Sequence, residues 1–260
     1  LKFVYFTHSL RSCWNHGNAH FLRGVLRELI HAGHEVSAYE PDGAWSLDNL
    51  LRDHGEAGLS AYQAAYPELT SGIYGPEDDL ARLVDGADVV IVHEWNAHPL
   101  VAEIGRLRAA GGRFTLLFHD THHRAVSEPE AMRAYDLSGY DGVLAFGETL
   151  AEVYRAWGWR DRVFVWHEAA DTRLFRPALP SPAGVGSTAQ PAGWGETKRS
   201  EAVLPPSPDH RSDLPPAGEG AGLVWIGNWG DEERSEELEA YLFRPAQRLG
   251  LPLDIYGVLG

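Results

Sequence analysis

Short, almost unbroken apolar runs alternate along this chain with stretches in which apolar residues recur every three or four positions. Residues 2–7 form the first such run, the pattern of a strand buried on both faces of a parallel sheet. Asn18 stands where a helix N-cap belongs, and Phe21, Leu22, Val25, Leu26, Leu29 and Ile30 follow with helical period until Gly33 stops the helix. Residues 34–40 then supply a second strand and complete a βαβ unit. Two short helices are predicted within 46–66, and a third over 77–84 closed by Asp85 and Gly86. Strands at 87–92, 113–118, 142–146 and 162–166, with helices at 97–109 and 148–157, continue the alternation. The order predicts an α/β fold, a doubly wound, Rossmann-like parallel sheet with helices on both faces.

The pattern changes after Pro177. Residues 178–221 are dominated by Pro, Gly, Ser and Ala, and Val203 and Leu204 build no periodicity, so a flexible linker is expected. Residues 222–260 resume with GLVWIGNW, an acidic-to-basic helix from about Asp231 to Gly250, and LDIYGV. A single strand–helix–strand start is too small to hold a core alone. It must lean on the first domain, borrow a partner, or begin a domain that these residues do not complete. The expected organisation is therefore a domain over 1–177, a linker over 178–221 and an incomplete second Rossmann-like domain over 222–260.

Four of the strand-like runs end on a histidine: His8, His93, His119 and His167. In an open α/β sheet ligands bind beyond the carboxyl ends of the strands, where loops and helix N-termini bring unpaired backbone groups together. The edge expected to bind a ligand thus carries side chains that donate, accept or hold a proton.

Composition narrows the partners. With 44% hydrophobic residues in 260, the chain can bury a sizeable core. A formal net charge of −15, from 22 Lys and Arg against 37 Asp and Glu, repels a phosphodiester backbone, so a nucleic-acid polymer is not an expected partner. A small anionic ligand held by local amides is compatible with that field. A single cysteine, Cys13, leaves no intrachain disulfide and suits a reducing cytoplasm. No apolar run approaches the roughly 18 to 20 residues that span a bilayer, and the first residues lack a signal-peptide layout. A cytoplasmic protein is expected.

The tract VFVWHEAADTRLFRP, residues 163–177, resembles the strand and turn "IPNGVDTxxFxP" that closes the N-terminal domain of many GT-B glycosyltransferases, the glycosyl transferases group 1. Asp171, Thr172, Phe175 and Pro177 match it, Asp171 as the cap of a short turn that Phe175 anchors and Pro177 ends. NHGNAHFLRGVLRELIHAGHEV is similar to that family's opening loop, helix and second strand, and FHDTHH to its His-Asp motif. VWIGNW resembles the first strand and loop of its nucleotide-binding domain, and the Asn-Trp-Gly form followed by Glu-Arg is closest to the spore-coat CgeB-like branch.

The resemblance implies transfer of a sugar from a nucleotide-diphosphate sugar to an acceptor hydroxyl, in a cleft between two Rossmann-like domains, with no further cofactor required and no metal. It implies donor diphosphate contacts at Gly17 and Asn18, at Gly227 and Asn228, and at Arg234. It places His119 at the transferred sugar, with Asp120 orienting a neighbour. His16 or His119 is the candidate base for an inverting displacement, whereas a retaining one leaves His119 as a sugar-positioning group. His8, His93, Glu94 and Trp95 are the acceptor-side candidates, and Trp95, Trp225 and Trp229 are able to stack on a sugar or base ring. Many relatives carry a Gly-Gly pair where this chain has His16 and Gly17, which narrows the space for a phosphate. The Glu-x7-Glu region of the family has no counterpart in these residues, so the chain alone is expected to be inactive.

Two other readings are compatible with the residues. His119, Asp120, His122 and His123, with His93 and Glu94 on the neighbouring strand, are ligand types suited to Zn²⁺ and metal-dependent hydrolysis. A sugar-nucleotide-binding or partner-binding half-domain without turnover is the other.

Overall fold

A computed structural model describes residues 1–14, 17–174, 223–226 and 232–256. The chain forms two compact units, Leu1–Phe175 and Arg176–Gly260.

In the first unit seven strands form one sheet. They are β1 (Lys2–Phe6), β2 (Glu35–Pro41), β3 (Ser71–Tyr74), β4 (Val89–His93), β5 (Thr115–Asp120), β6 (Gly142–Ala145) and β7 (Val163–Val165). Every neighbouring pair is parallel, in the order β3-β2-β1-β4-β5-β6-β7. Between strands lie α1 (Asn18–His31), α2 (Trp45–His54), α3 (Glu56–Ala65), α4 (Leu80–Leu83), α5 (His98–Ala109), α6 (Arg124–Ser127), α7 (Pro129–Arg133) and α8 (Glu148–Tyr154). This is the doubly wound α/β fold that the sequence pattern predicts. The winding reverses between β1 and β4, the switch point at which such sheets open a crevice beyond their carboxyl ends.

Alternation along each strand explains why helices cover both faces. Val4 and Phe6 of β1, Val90 and Val92 of β4, and Leu116 and Phe118 of β5 enter one core, with Val101 and Ile104 of α5 and Leu150 and Ala151 of α8. Tyr5 and Ile91 point the other way, onto Phe21, Leu22 and Leu26 of α1 and onto Tyr62 and Tyr66. Each such side chain, fully buried, contributes about 1.5–3 kcal/mol.

Several expectations need correction at the level of single elements. Strand β3 has no counterpart among the predicted elements, nor do the short helices α6 and α7. The helix expected over 77–84 is only Leu80–Leu83, started by Asp79, whose carboxylate accepts the Ala81 N–H at 3.1 Å. The N-cap of α1 is Gly17, and Asn18 is the first helical residue. The turn at Asp171 forms as expected, its carboxylate accepting the Arg173 N–H at 2.9 Å. Arg27 on α1 bridges the same carboxylate at 2.9 Å. Gly24 on α1 leaves room for it, since a Cβ there would stand 3.0 Å from that of Asp171.

In the second unit β8 (Leu223–Ile226) pairs in parallel with β9 (Leu253–Tyr256). The helix expected from Asp231 to Gly250 is α9 (Glu232–Leu238), a π-helical stretch over Glu239–Phe243, and α10 (Arg244–Leu249), ended by left-handed Gly250. Phe175 and Pro177, and the whole linker of 178–221, lie outside the described residues. Among the described residues no helix is long and apolar enough to cross a membrane.

Candidate functional site

The carboxyl rim of β1, β4 and β5 gathers three of the four strand-end histidines. His8 follows β1, and His93 and His119 are paired in register at the ends of β4 and β5. Their rings run in a row: His8 and His93 are 5.3 Å apart between centroids, and His93 and His119 are 5.3 Å apart at nearly right angles. Trp166 and Phe21 close the far side of His119 at 4.9 and 5.8 Å. His167 stands apart from the row, exposed, with Nδ1 2.8 Å from the Phe146 carbonyl oxygen.

His119 is 0% exposed, and among the described residues neither of its ring nitrogens has a hydrogen-bond partner. Burial lowers its pKa from 6.5 to about 3, so the ring is neutral at physiological pH. Burial likewise lowers that of His8 to about 4.

Behind the row lies a polar network. His93 accepts the Trp95 N–H at Nδ1, over 3.4 Å, which leaves Nε2 as the donor to Thr121 Oγ1 at 3.2 Å. Asn18 donates to the same oxygen at 3.0 Å, tying the first turn of α1 to the end of β5. Thr121 in turn donates its N–H, at 2.9 Å, and its hydroxyl, at 3.2 Å, to Glu94 Oε1. Glu94 and Asp120 are fully buried side by side, at the ends of strands paired in register. Asp120 also accepts from the Tyr154 hydroxyl at 2.7 Å and from the His122 N–H at 3.1 Å. Desolvation raises both carboxyls, Glu94 to about 8, with the neighbouring Asp120 charge the next cause. Glu94, an acceptor-side candidate in the sequence, is thus fully buried within this network.

Trp95 behaves differently. It is 40% exposed, with the Arg124 guanidinium 4.3 Å from its ring centroid and His122 and His8 beside it at 5.4 and 6.2 Å. The loop after β1 is shaped by buried Glu40, which accepts the N–H groups of Leu10 and Arg11, and Arg11 Nε at 2.7 Å. Sequence pattern gives no sign of Glu40, because its partners are backbone amides of a different segment. Gly17 sits at the start of α1 with no side-chain cap, and a Cβ there would meet nothing within 4 Å.

The geometry gives the hydrolase reading no support. Among the described residues no three His, Cys, Asp or Glu side chains are arranged to hold a metal ion. His122 and His123 stack on each other at 4.1 Å, His123 pairs with Ser127, and His119 faces His93 and Trp166 within the rim. His16, Gly227, Asn228 and Trp229 lie outside the described residues, and of Arg234 only its place on α9 is described. Trp225 lines, with Leu238 and Tyr241, a hollow of about 440 Å³ in the second unit.

No protein-family model and no curated protein matches the sequence. Solved structures do. An alpha-glucosyltransferase in complex with UDP and a 13-mer DNA containing a central A:G mismatch aligns over 95% of this chain and 54% of its own, with 13% identity and a TM-score of 0.51. The chain has a GT-B-type fold. A second alpha-glucosyltransferase structure, with UDP and a 13-mer DNA containing a HMU base, aligns over 65% of this chain and 43% of its own, with 14% identity and a TM-score of 0.45. The chain thus spans about half the length of these proteins. The first of these glucosyltransferases is bound to DNA, so the comparison lends no support to the expectation that no nucleic-acid polymer is a partner.

Proposed function

We propose that the chain serves glycosyl transfer from a nucleotide-diphosphate sugar to an acceptor hydroxyl. The observation that carries this reading is His119, a fully buried imidazole with two unpaired nitrogens in the row of ring side chains at the switch-point rim. Buried polar atoms ordinarily find partners, and an exception calls for one, such as a ligand or an ordered water. A neutral ring of such low basicity suits a hydrogen bond to a sugar hydroxyl better than proton abstraction, which favours the sugar-positioning role over the base. Asp120, engaged by Tyr154, His122 and Glu94, orients the rim and is not free to take a proton from an acceptor.

Gly17 and Asn18 open α1 toward free space, where the positive end of the helix dipole favours a phosphate. Trp95, exposed and held flat by Arg124, offers a stacking face to the acceptor. The UDP of the structural neighbour makes uridine diphosphate sugars the first donors to test, and its DNA makes a nucleic-acid hydroxyl one acceptor class to include. The CgeB-like assignment rests on the Asn228-Trp229-Gly230 loop, outside the described residues.

The test is a thermal-shift panel of nucleotide sugars followed by transfer assays. A bound donor at about a hundred times its Kd adds about 2.7 kcal/mol and raises Tm by several degrees. Stabilisation that is lost in His119→Ala supports the reading. Stabilisation without transfer, also by a version extended through a full second domain, selects the binding half-domain, and no stabilisation by any nucleotide sugar refutes both.

A further inference from the structure

The sugar-transfer reading gives no part to the buried acid pair at the ends of β4 and β5. Glu94 and Asp120 come together because their strands are paired in register through His93 and His119, so the next residue of each strand end meets the other across the rim. Both side chains are fully buried in this contact between strand ends. Two ionised carboxylates in such contact repel strongly, and a buried pair of this kind keeps one proton between them.

The surrounding groups show which way the pair is built. From α6, Arg124 brings a guanidinium nitrogen to 3.4 Å from Glu94 Oε2, a long contact that offsets one charge only. From α8, Tyr154 donates to Asp120. From the segment after α7, Tyr135 donates to the Glu94 carbonyl oxygen and to that of Asn96, which fixes the backbone at the end of β4. The rim itself contributes the His122 N–H to Asp120, and Thr121 to Glu94. Thr121 Oγ1 accepts from both His93 and Asn18, so its own proton is committed to Glu94.

We propose that Glu94 is a positioning residue: sharing one proton with Asp120, it locks the carboxyl ends of β4 and β5 together and sets Thr121, which aligns His93 and the first turn of α1. What the lock serves rests on the sugar-transfer reading, but the lock itself does not. Loss of the shared proton leaves two negative charges in contact with one arginine, and the rim loosens.

The sign of the pH effect follows from burial. Folded Glu94 holds its proton to about pH 8, whereas in the unfolded chain it is released near 4.5. The stabilisation is complete below pH 4.5 and is lost as pH rises through about 8. Glu94→Gln, a neutral isostere that still donates to Asp120, removes this titration. The wild-type Tm is expected to fall over about pH 4.5 to 8 and that of the variant to stay flatter. The alkaline limb of any transfer activity is expected to move to higher pH in the variant.

Infrared difference spectra of the whole chain read the proton directly. Wild type at neutral pH is expected to show the carbonyl band of a protonated carboxylic acid that Glu94→Gln lacks. Absence of that band, or identical pH dependence of Tm in both proteins, overturns the proposal. Should the variant fail to fold, the band in the wild type and its disappearance above about pH 8 decide the matter alone. If band and Tm behave as expected while no nucleotide sugar binds, the lock stands and the sugar-transfer reading falls.

Discussion

An imidazole enclosed with both nitrogens unpaired, as His119 is, costs the fold about 1–3 kcal/mol for each unsatisfied group. The fold accommodates it because Phe21, His93 and Trp166 pack their rings against it. His119→Leu, of similar bulk and without polar atoms, is expected to raise stability by about 1 kcal/mol in urea unfolding while removing donor stabilisation. A variant that is less stable, or that binds donor normally, contradicts the role assigned here. The titration adds a second signature. Between pH 6.5 and about 3 the unfolded chain binds a proton that the folded His119 refuses, so stability falls as pH drops through that window. The leucine variant is expected to lose part of that acid sensitivity.

At the scale of elements, most of the sheet is legible from sequence, because a strand covered on both faces has to be apolar throughout. Runs such as VVIV and TLLF declare β4 and β5, and the histidines that end them mark the rim. Strand β3 is not legible: SGIY carries a polar residue and a glycine in four positions and lies at the sheet edge, where only one neighbour constrains it. Helices α6 and α7, with four and five residues, are too short to show a period. The Glu94–Asp120 contact is hidden for another reason, since it depends on inter-strand register, which neither strand displays alone. Asn18 misleads because its side chain serves Thr121 rather than its own helix. Packing between elements gives a sharp test at Gly139, where a Cβ would stand 2.2 Å from the Gly105 carbonyl oxygen of α5. That contact is backbone against backbone and has no rotamer to relieve it. Gly139→Ala is expected to destabilise by about 1–3 kcal/mol or more, by forcing α5 away from the loop before β6, as denaturant titration would record. An alanine variant with wild-type stability means that the two segments do not approach so closely.

At the scale of the whole molecule, the two halves differ in what they contain. Both cores of the first unit are built from residues of that unit, one on each face of its seven-stranded sheet. The histidine row, the acid pair, the capless start of α1 and Trp95 are all there too. The second unit shows two paired strands and a broken helix among its described residues. Residues 1–175 should therefore fold without the rest. The isolated segment is expected to unfold in one urea transition with a slope of about 2–3 kcal/mol per M, as for a compact domain of its size. It is also expected to keep the infrared band of the shared proton, because the described groups around Glu94 and Asp120 all belong to it. A broad, non-cooperative transition means that the first unit depends on the second for its core. In that case the rim described here is a property of the entire chain and not of its sheet.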